Sequence, residues 1–161
     1  VKRPFVERPA EANDAASERP VDQETQKRPV SVLDARRVAL NALADVNRVD
    51  AYAALALDKR LREAKLSGED RRLATSIFYA AVENRLNIQY VLKDFMKTKP
   101  EPVVEDILHI ACAQILFMDR IPAHAAVDEA VKQTRAFGRE EAAGFVNGVL
   151  RSLLRAIEAR T

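Results

Sequence analysis

The sequence predicts an all-α domain of about seven helices. Three observations carry that prediction. The run from Ile107 to Met118 is apolar nearly all the way round, broken by His109 and Gln114, so neighbouring helices must surround it. Elsewhere apolar residues recur at spacings of three and four, and no segment alternates convincingly with period two. The four glycines are isolated from one another, and the joints between periodic segments are short.

The elements follow in order. Val1 to Val30 holds four of the seven prolines, and six basic residues balance six acidic ones. With few large apolar side chains it cannot offset the entropy of ordering, so a disordered tail over residues 1–30 is expected. Ser31 opens the ordered part, with Asp34 three residues on as its capping partner. The first helix runs to about Asn47, with Ala35, Ala39, Ala42, Leu43 and Val46 on one face. Asp50 is placed to cap a second helix whose inner stripe is Ala54, Leu57, Leu61 and Ala64. Ser67 and Asp70 form another capping pair ahead of a third helix from about Glu69 to Asn84. Arg85 to Asn87 reads as a kink, and a fourth helix spans about Ile88 to Met96.

Glu101 and Pro102 open the fifth helix, the apolar rod, because proline suits a first turn. Asp119-Arg120-Ile121-Pro122 ends it, and Pro122 opens the sixth, striped by Ala126, Val127, Ala130 and Val131. Gly138 suits the position after that helix. The seventh begins near Glu140 and runs almost to Thr161.

Composition excludes several chemistries. The formal charge is +2 over 161 residues, and a pI of 8.8 is only mildly basic. One cysteine precludes an internal disulfide, and with two separated histidines it leaves no metal-ligand spacing. There is no leader-like apolar stretch and no run long enough to span a bilayer, so a reducing, cytoplasmic setting is expected. The glycines form no phosphate loop. Cys112 reads as a small buried hydrophobe, and His109 as a helix-surface or satisfied core residue. Glu105-Asp106 and Asp128-Glu129 read as solvated or capping pairs, because adjacent helical positions diverge. No catalytic residue and no metal ligand is expected in this chain.

Binding remains. Arg36, Arg37, Arg71, Arg72, Arg85 and Arg120 fall at or near helix ends, and guanidinium forks match phosphate oxygens. Tyr79 and Tyr90 offer rings on which unpaired bases could stack. Ordinary solvated pairing of Arg71 and Arg72 with Glu69 and Asp70 accounts for those two equally well.

Two late motifs carry a resemblance. Ile121-Pro122-Ala123-His124-Ala125-Ala126-Val127-Asp128-Glu129-Ala130-Val131 and Gly144-Phe145-Val146-Asn147-Gly148-Val149-Leu150-Arg151 resemble the hallmarks of the NusB family. The spacing of Arg36, Ala39 and Leu43 is similar to that family too, and the likeness covers about Asp34 to Arg155. It implies seven helices in two small sub-bundles, and RNA binding. One branch is the free-standing transcription antitermination factor, which binds RNA with a ribosomal protein. The other is the N-terminal domain of the 16S ribosomal RNA cytosine-5 methyltransferases of the RsmB group. The stretch from Ala113 to Val127, and Val149 to Arg155, look closer to the second, although Ala113 stands where that branch usually has an aromatic.

The resemblance implies a fragment: a module that places ribosomal RNA against, and packs on, its own catalytic domain. That domain would bind S-adenosylmethionine and supply the attacking cysteine. No cofactor is implied for the present chain. The resemblance further points to Arg36, Arg37, Tyr79 and Arg85 as RNA contacts, with Arg120 behind them. Asn147 and Glu129 are expected as buried or half-buried polar groups that bond helix ends. A helical docking domain with no RNA contact is the competing reading.

Overall fold

The structure, a computed structural model, describes residues 34–160. The expectations for the tail over 1–30 and for the Ser31 cap lie outside those residues. Among the described residues there are seven α-helices and no strand: α1 (Ala35–Val49), α2 (Ala53–Ala64), α3 (Gly68–Glu83), α4 (Arg85–Lys93), α5 (Pro102–Phe117), α6 (Ala123–Ala136) and α7 (Ala143–Ala159). A 3-10 turn, Glu140–Ala142, leads into α7.

The helices fall into two sub-bundles that share a core. In the first, α1, α2 and α3 pack on one another; in the second, α5, α6 and α7 do the same. The apolar rod joins them, since α5 also packs on α1, α3 and α4. Its Ile107, Leu108 and Ile110 lie fully buried beside Phe78 and Ile77 of α3 and Leu40 and Leu43 of α1 in one cluster. Ala39, Ala42, Ala74 and Ala81 are buried too; side chains this small let α1 and α3 approach closely.

Helix ends explain where the expectations held and where they failed. Ser67 caps α3 as expected, its Oγ accepting from the Asp70 amide at 3.2 Å. Gly138 has φ +74° just past α6, the left-handed conformation glycine adopts at no steric cost. Asp50 is no cap: it has φ +54°, and Tyr52 occupies the N-cap position of α2 without a side-chain bond. The chain therefore enters α2 two residues later, and its buried stripe is Ala56, Leu57 and Leu61, with Ala54 exposed. The kink expected over Arg85 to Asn87 is a single residue, Asn84, which ends α3 and precedes α4. Its side-chain Nδ2 donates to the Ala80 carbonyl at 2.9 Å, so one amide both stops α3 and lets Arg85 start the next helix. Phe117, at the end of the rod, is 42% exposed.

Candidate functional site

The arginines singled out from the sequence occupy separate places. Arg36 lies in the first turn of α1, where its Nε donates to Gln114 Oε1 at 2.6 Å. Gln114 is fully buried on α5, and its own Nε2 donates to the Ile110 carbonyl at 3.0 Å. Beside it, the Arg37 guanidinium sits 4.3 Å from the centre of the Phe137 ring, a cation–π contact. Arg120 is exposed in the joint between α5 and α6. Tyr79 is half-buried on α3, edge-on to Phe78 with ring centres 5.2 Å apart. Tyr90 is 67% exposed and lines an apolar groove with Phe95, Leu116 and Ile157.

Arg85 stands elsewhere, in a polar cleft of about 290 Å³. The cleft is built from three helices. The last turn of α1 contributes Asn47 and Arg48, α4 contributes Arg85 and Gln89, and the approach to α5 contributes Lys99. The first turns of α5 contribute Glu105, Asp106 and His109. Arg85 is the first residue of α4, where a cation opposes the helix dipole. Helix energetics thus give no reason for an arginine there.

The floor of the cleft is a buried polar cluster. Asp106, 4% exposed, accepts from Asn47 Nδ2 at 2.8 Å and from Arg48 Nη2 at 2.5 Å. These two bonds tie the end of α1 to the start of α5, while Arg36 and Gln114 tie the other ends. The two helices therefore run in opposite senses, and about 18 Å of α1 separates Arg36 from Arg48. Burial pushes the Asp106 carboxyl above its ordinary range, although the Asn47 bond and the Arg48 charge both pull it down. The ion pair alone would predict the reverse; taking the carboxylate out of water outweighs it. Burial likewise holds the His109 imidazole below 6.5, against the pull of Asp106 and with a small push from Arg85.

Several expectations are corrected at this site. Asp106 is neither solvated nor a cap; it is the buried acceptor that joins two helices. Of the two readings of His109, helix surface or core, burial selects the core: it lies within the cleft wall. Asn147 is exposed, and its Oδ1 accepts from Arg151 Nε at 3.3 Å rather than bonding a helix end. Glu129 is half-buried as expected, but its partner is Lys132, at 3.6 Å on the same helix. Cys112 is a fully buried hydrophobe, its thiol pushed up to about 12 by burial. Asn47, Arg48 and Lys99 were not singled out from the sequence, because their convergence with Arg85 depends on how three helices cross. The signal that was available is His109, a polar residue inside an apolar rod. Among the described residues, no group of three or more His, Cys, Asp and Glu side chains is placed to hold a metal ion. No helix among them is long and apolar enough to cross a membrane.

Fold and site together define a class: a seven-helix, two-sub-bundle domain whose polar cleft has arginine and lysine at its rim. The description "NusB family" matches residues 33–155, and the chain belongs to that family. It is 35% identical over 122 residues to the "Probable ribosomal RNA small subunit methyltransferase B" of Bacillus subtilis (strain 168), covering 74% of this chain and 27% of that protein. It is 34% identical over 132 residues to the "Transcription antitermination protein NusB" of Heliobacterium modesticaldum, covering 78% of this chain and 63% of that one. The chain thus spans little more than a quarter of the methyltransferase relative. Among solved structures, the fold matches "Crystal Structure of Antitermination Factors NusB and NusE in complex with dsRNA" with TM-score 0.71 and 19% identity, covering 78% of this chain and 96% of that one.

Proposed function

We propose that this chain is the RNA-binding, substrate-positioning N-terminal module of a ribosomal RNA cytosine-5 methyltransferase acting in the cytoplasm. The observation that carries the reading is the likeness to the Bacillus subtilis protein, 35% over most of this chain but only 27% of the relative. A helical module of that proportion leaves the chemistry to the remaining chain. S-adenosylmethionine and the attacking cysteine belong there, and Cys112, buried with its thiol pushed up to about 12, does not supply a nucleophile.

RNA is the partner because two of the cations at helix ends, Arg85 and Arg120, find no account in packing. Arg85 and Arg120 are exposed, and Arg85 opposes the dipole of its own helix. Arg36 and Arg37 present guanidinium groups at the start of α1, held in place by Gln114 and Phe137. These four arginines would hold phosphates, and Tyr79 would pack against the RNA at its exposed edge. The second partner is the enzyme's own catalytic domain, for which the groove beside Tyr90 offers apolar surface.

A second reading is a free-standing antitermination factor. It is favoured by the Heliobacterium relative, of which this chain covers 63%. The coding sequence beyond Thr161 separates the two: a methyltransferase domain supports the first, a stop codon the second. RNA binding itself is tested by titrating a small-subunit ribosomal RNA hairpin. Affinity should fall steeply with salt, and Arg37→Ala with Arg85→Ala should weaken it by about tenfold and flatten the salt slope. Unchanged affinity in the double variant removes these residues from the interface. No binding even at low salt supports a docking domain instead.

A further inference from the structure

The cleft at Arg85 contains a group that the fold leaves unanswered. His109 is 7% exposed and lines the cleft wall. Among the described residues no side chain or carbonyl hydrogen-bonds its ring; its neighbours Asp106 and Arg85 act on it only through their charges. Neither ring nitrogen is fully shut off from solvent, so the polar edge of the ring opens onto the cleft. An uncharged imidazole also offers one donor and one acceptor in a fixed plane. Asn47 adds a second group: its Nδ2 is used by Asp106, while its Oδ1 is buried without a partner. The floor of the cleft is therefore a set of polar groups in search of complementary donors and acceptors.

The rim is different in character. Arg48, Arg85 and Lys99 face Glu105 and Asp106, which leaves one positive charge in excess. At about 30 Å³ per water in the liquid, a space of about 290 Å³ is far larger than one small ion requires. A cationic rim over a hydrogen-bonding floor, whose one carboxylate is paired with Arg48, matches a nucleotide: phosphate outside, base edge inside. A duplex cannot use it, because its base edges are paired and its grooves do not enter a cleft; splayed single-stranded bases can.

We propose that this cleft is a pocket for one unpaired nucleotide of the RNA, its phosphate held by Arg85 and Lys99 and its base edge read by His109 and Gln89. This rests on the RNA-binding reading above and adds to it that the ligand is single-stranded at this point.

The test uses the whole chain and reads His109 directly. It contains two histidines, so the His109 ring signals in a ring-nitrogen NMR spectrum are assigned by their loss in His109→Gln. Three probes are titrated: a short single-stranded RNA, the same strand annealed as a blunt duplex, and inorganic phosphate. Total RNA binding is followed in parallel by fluorescence anisotropy. The single strand should shift the His109 signals saturably and leave those of His124 in place. The duplex should act at least about tenfold more weakly. Arg85→Gln and Lys99→Gln, both at surface positions, should each weaken the shift by about fivefold while the thermal unfolding midpoint is kept. If anisotropy reports binding but His109 does not move, the pocket is wrong and the RNA reading stands. If neither responds, both fall. If phosphate alone shifts His109 as strongly as the single strand does, or the duplex matches the strand, the cleft is an anion site and the nucleotide assignment is overturned.

Discussion

Asp106 and His109 stand one turn apart on α5, and burial acts on them in opposite ways. The His109 imidazole is held below 6.5. Below that pH the unfolded chain takes up a proton that the folded chain refuses. The contribution of His109 is therefore complete above 6.5 and is lost as the pH falls toward the lower folded value. The charges that line the cleft with the ring are Asp106 and Glu105 on its own helix, Arg85 on α4, Arg48 on α1 and Lys99 ahead of α5, and of these Asp106 and Arg85 act on it. Asp106 is shifted upward from 3.8, so its contribution is present at low pH and is lost as the pH rises through its raised folded value. Urea unfolding should thus show His109 lowering the stability as the pH is brought below 6.5, by no more than about 1.4 kcal/mol per pH unit. His109→Gln should remove most of that slope; an unchanged slope would mean the ring stays solvated. Asp106→Ala should cost about 2 kcal/mol, because it leaves the part-buried Asn47 Nδ2 and the Arg48 guanidinium without their acceptor. The check is a lower urea midpoint at unchanged m-value.

At the scale of the element, the ends of the helices decide most of what happens. Ser67→Ala removes the bond to the Asp70 amide and should cost about 1 kcal/mol in thermal unfolding. That cap was legible because serine followed by an acid three residues on is a local signal. So were the apolar rod, its opening at Pro102 and its end before Pro122, since a run with no polar face and a proline each act within one turn. The entry into α2 was not legible. Asp50 is a good cap by residue type, but its positive φ turns the chain there, and that backbone choice belongs to the packing of α1 against α2. The start of α4 was missed for a related reason: Asn84 bonds back to Ala80, so the joint needs one residue where three were expected. The cleft was legible only in part, through Arg85 and through His109 as a polar residue inside the apolar rod. Residues from three helices meet there, and helical periodicity says which face a residue is on but not which other face it meets.

At the scale of the whole fold, the described residues form one core threaded by α5. Ile107 lies at its centre, fully buried among residues from both sub-bundles. Ile107→Ala should cost about 2–5 kcal/mol, and a single unfolding transition should persist, since the rod belongs to both halves. Two separate transitions would show that the sub-bundles unfold independently. Cys112 lies on the same rod, fully enclosed, with its thiol pushed up to about 12. An aromatic disulfide reagent should leave it untouched in the native protein and modify it fully in denaturant. Because the sulfur is reached only when the rod is stripped of its neighbours, the chain carries a built-in clock. The labelling rate under native conditions, divided by the rate in denaturant, counts how often the entire bundle comes apart. RNA that binds only the closed form would slow that clock in proportion to its occupancy, so affinity could be read from sulfur chemistry alone.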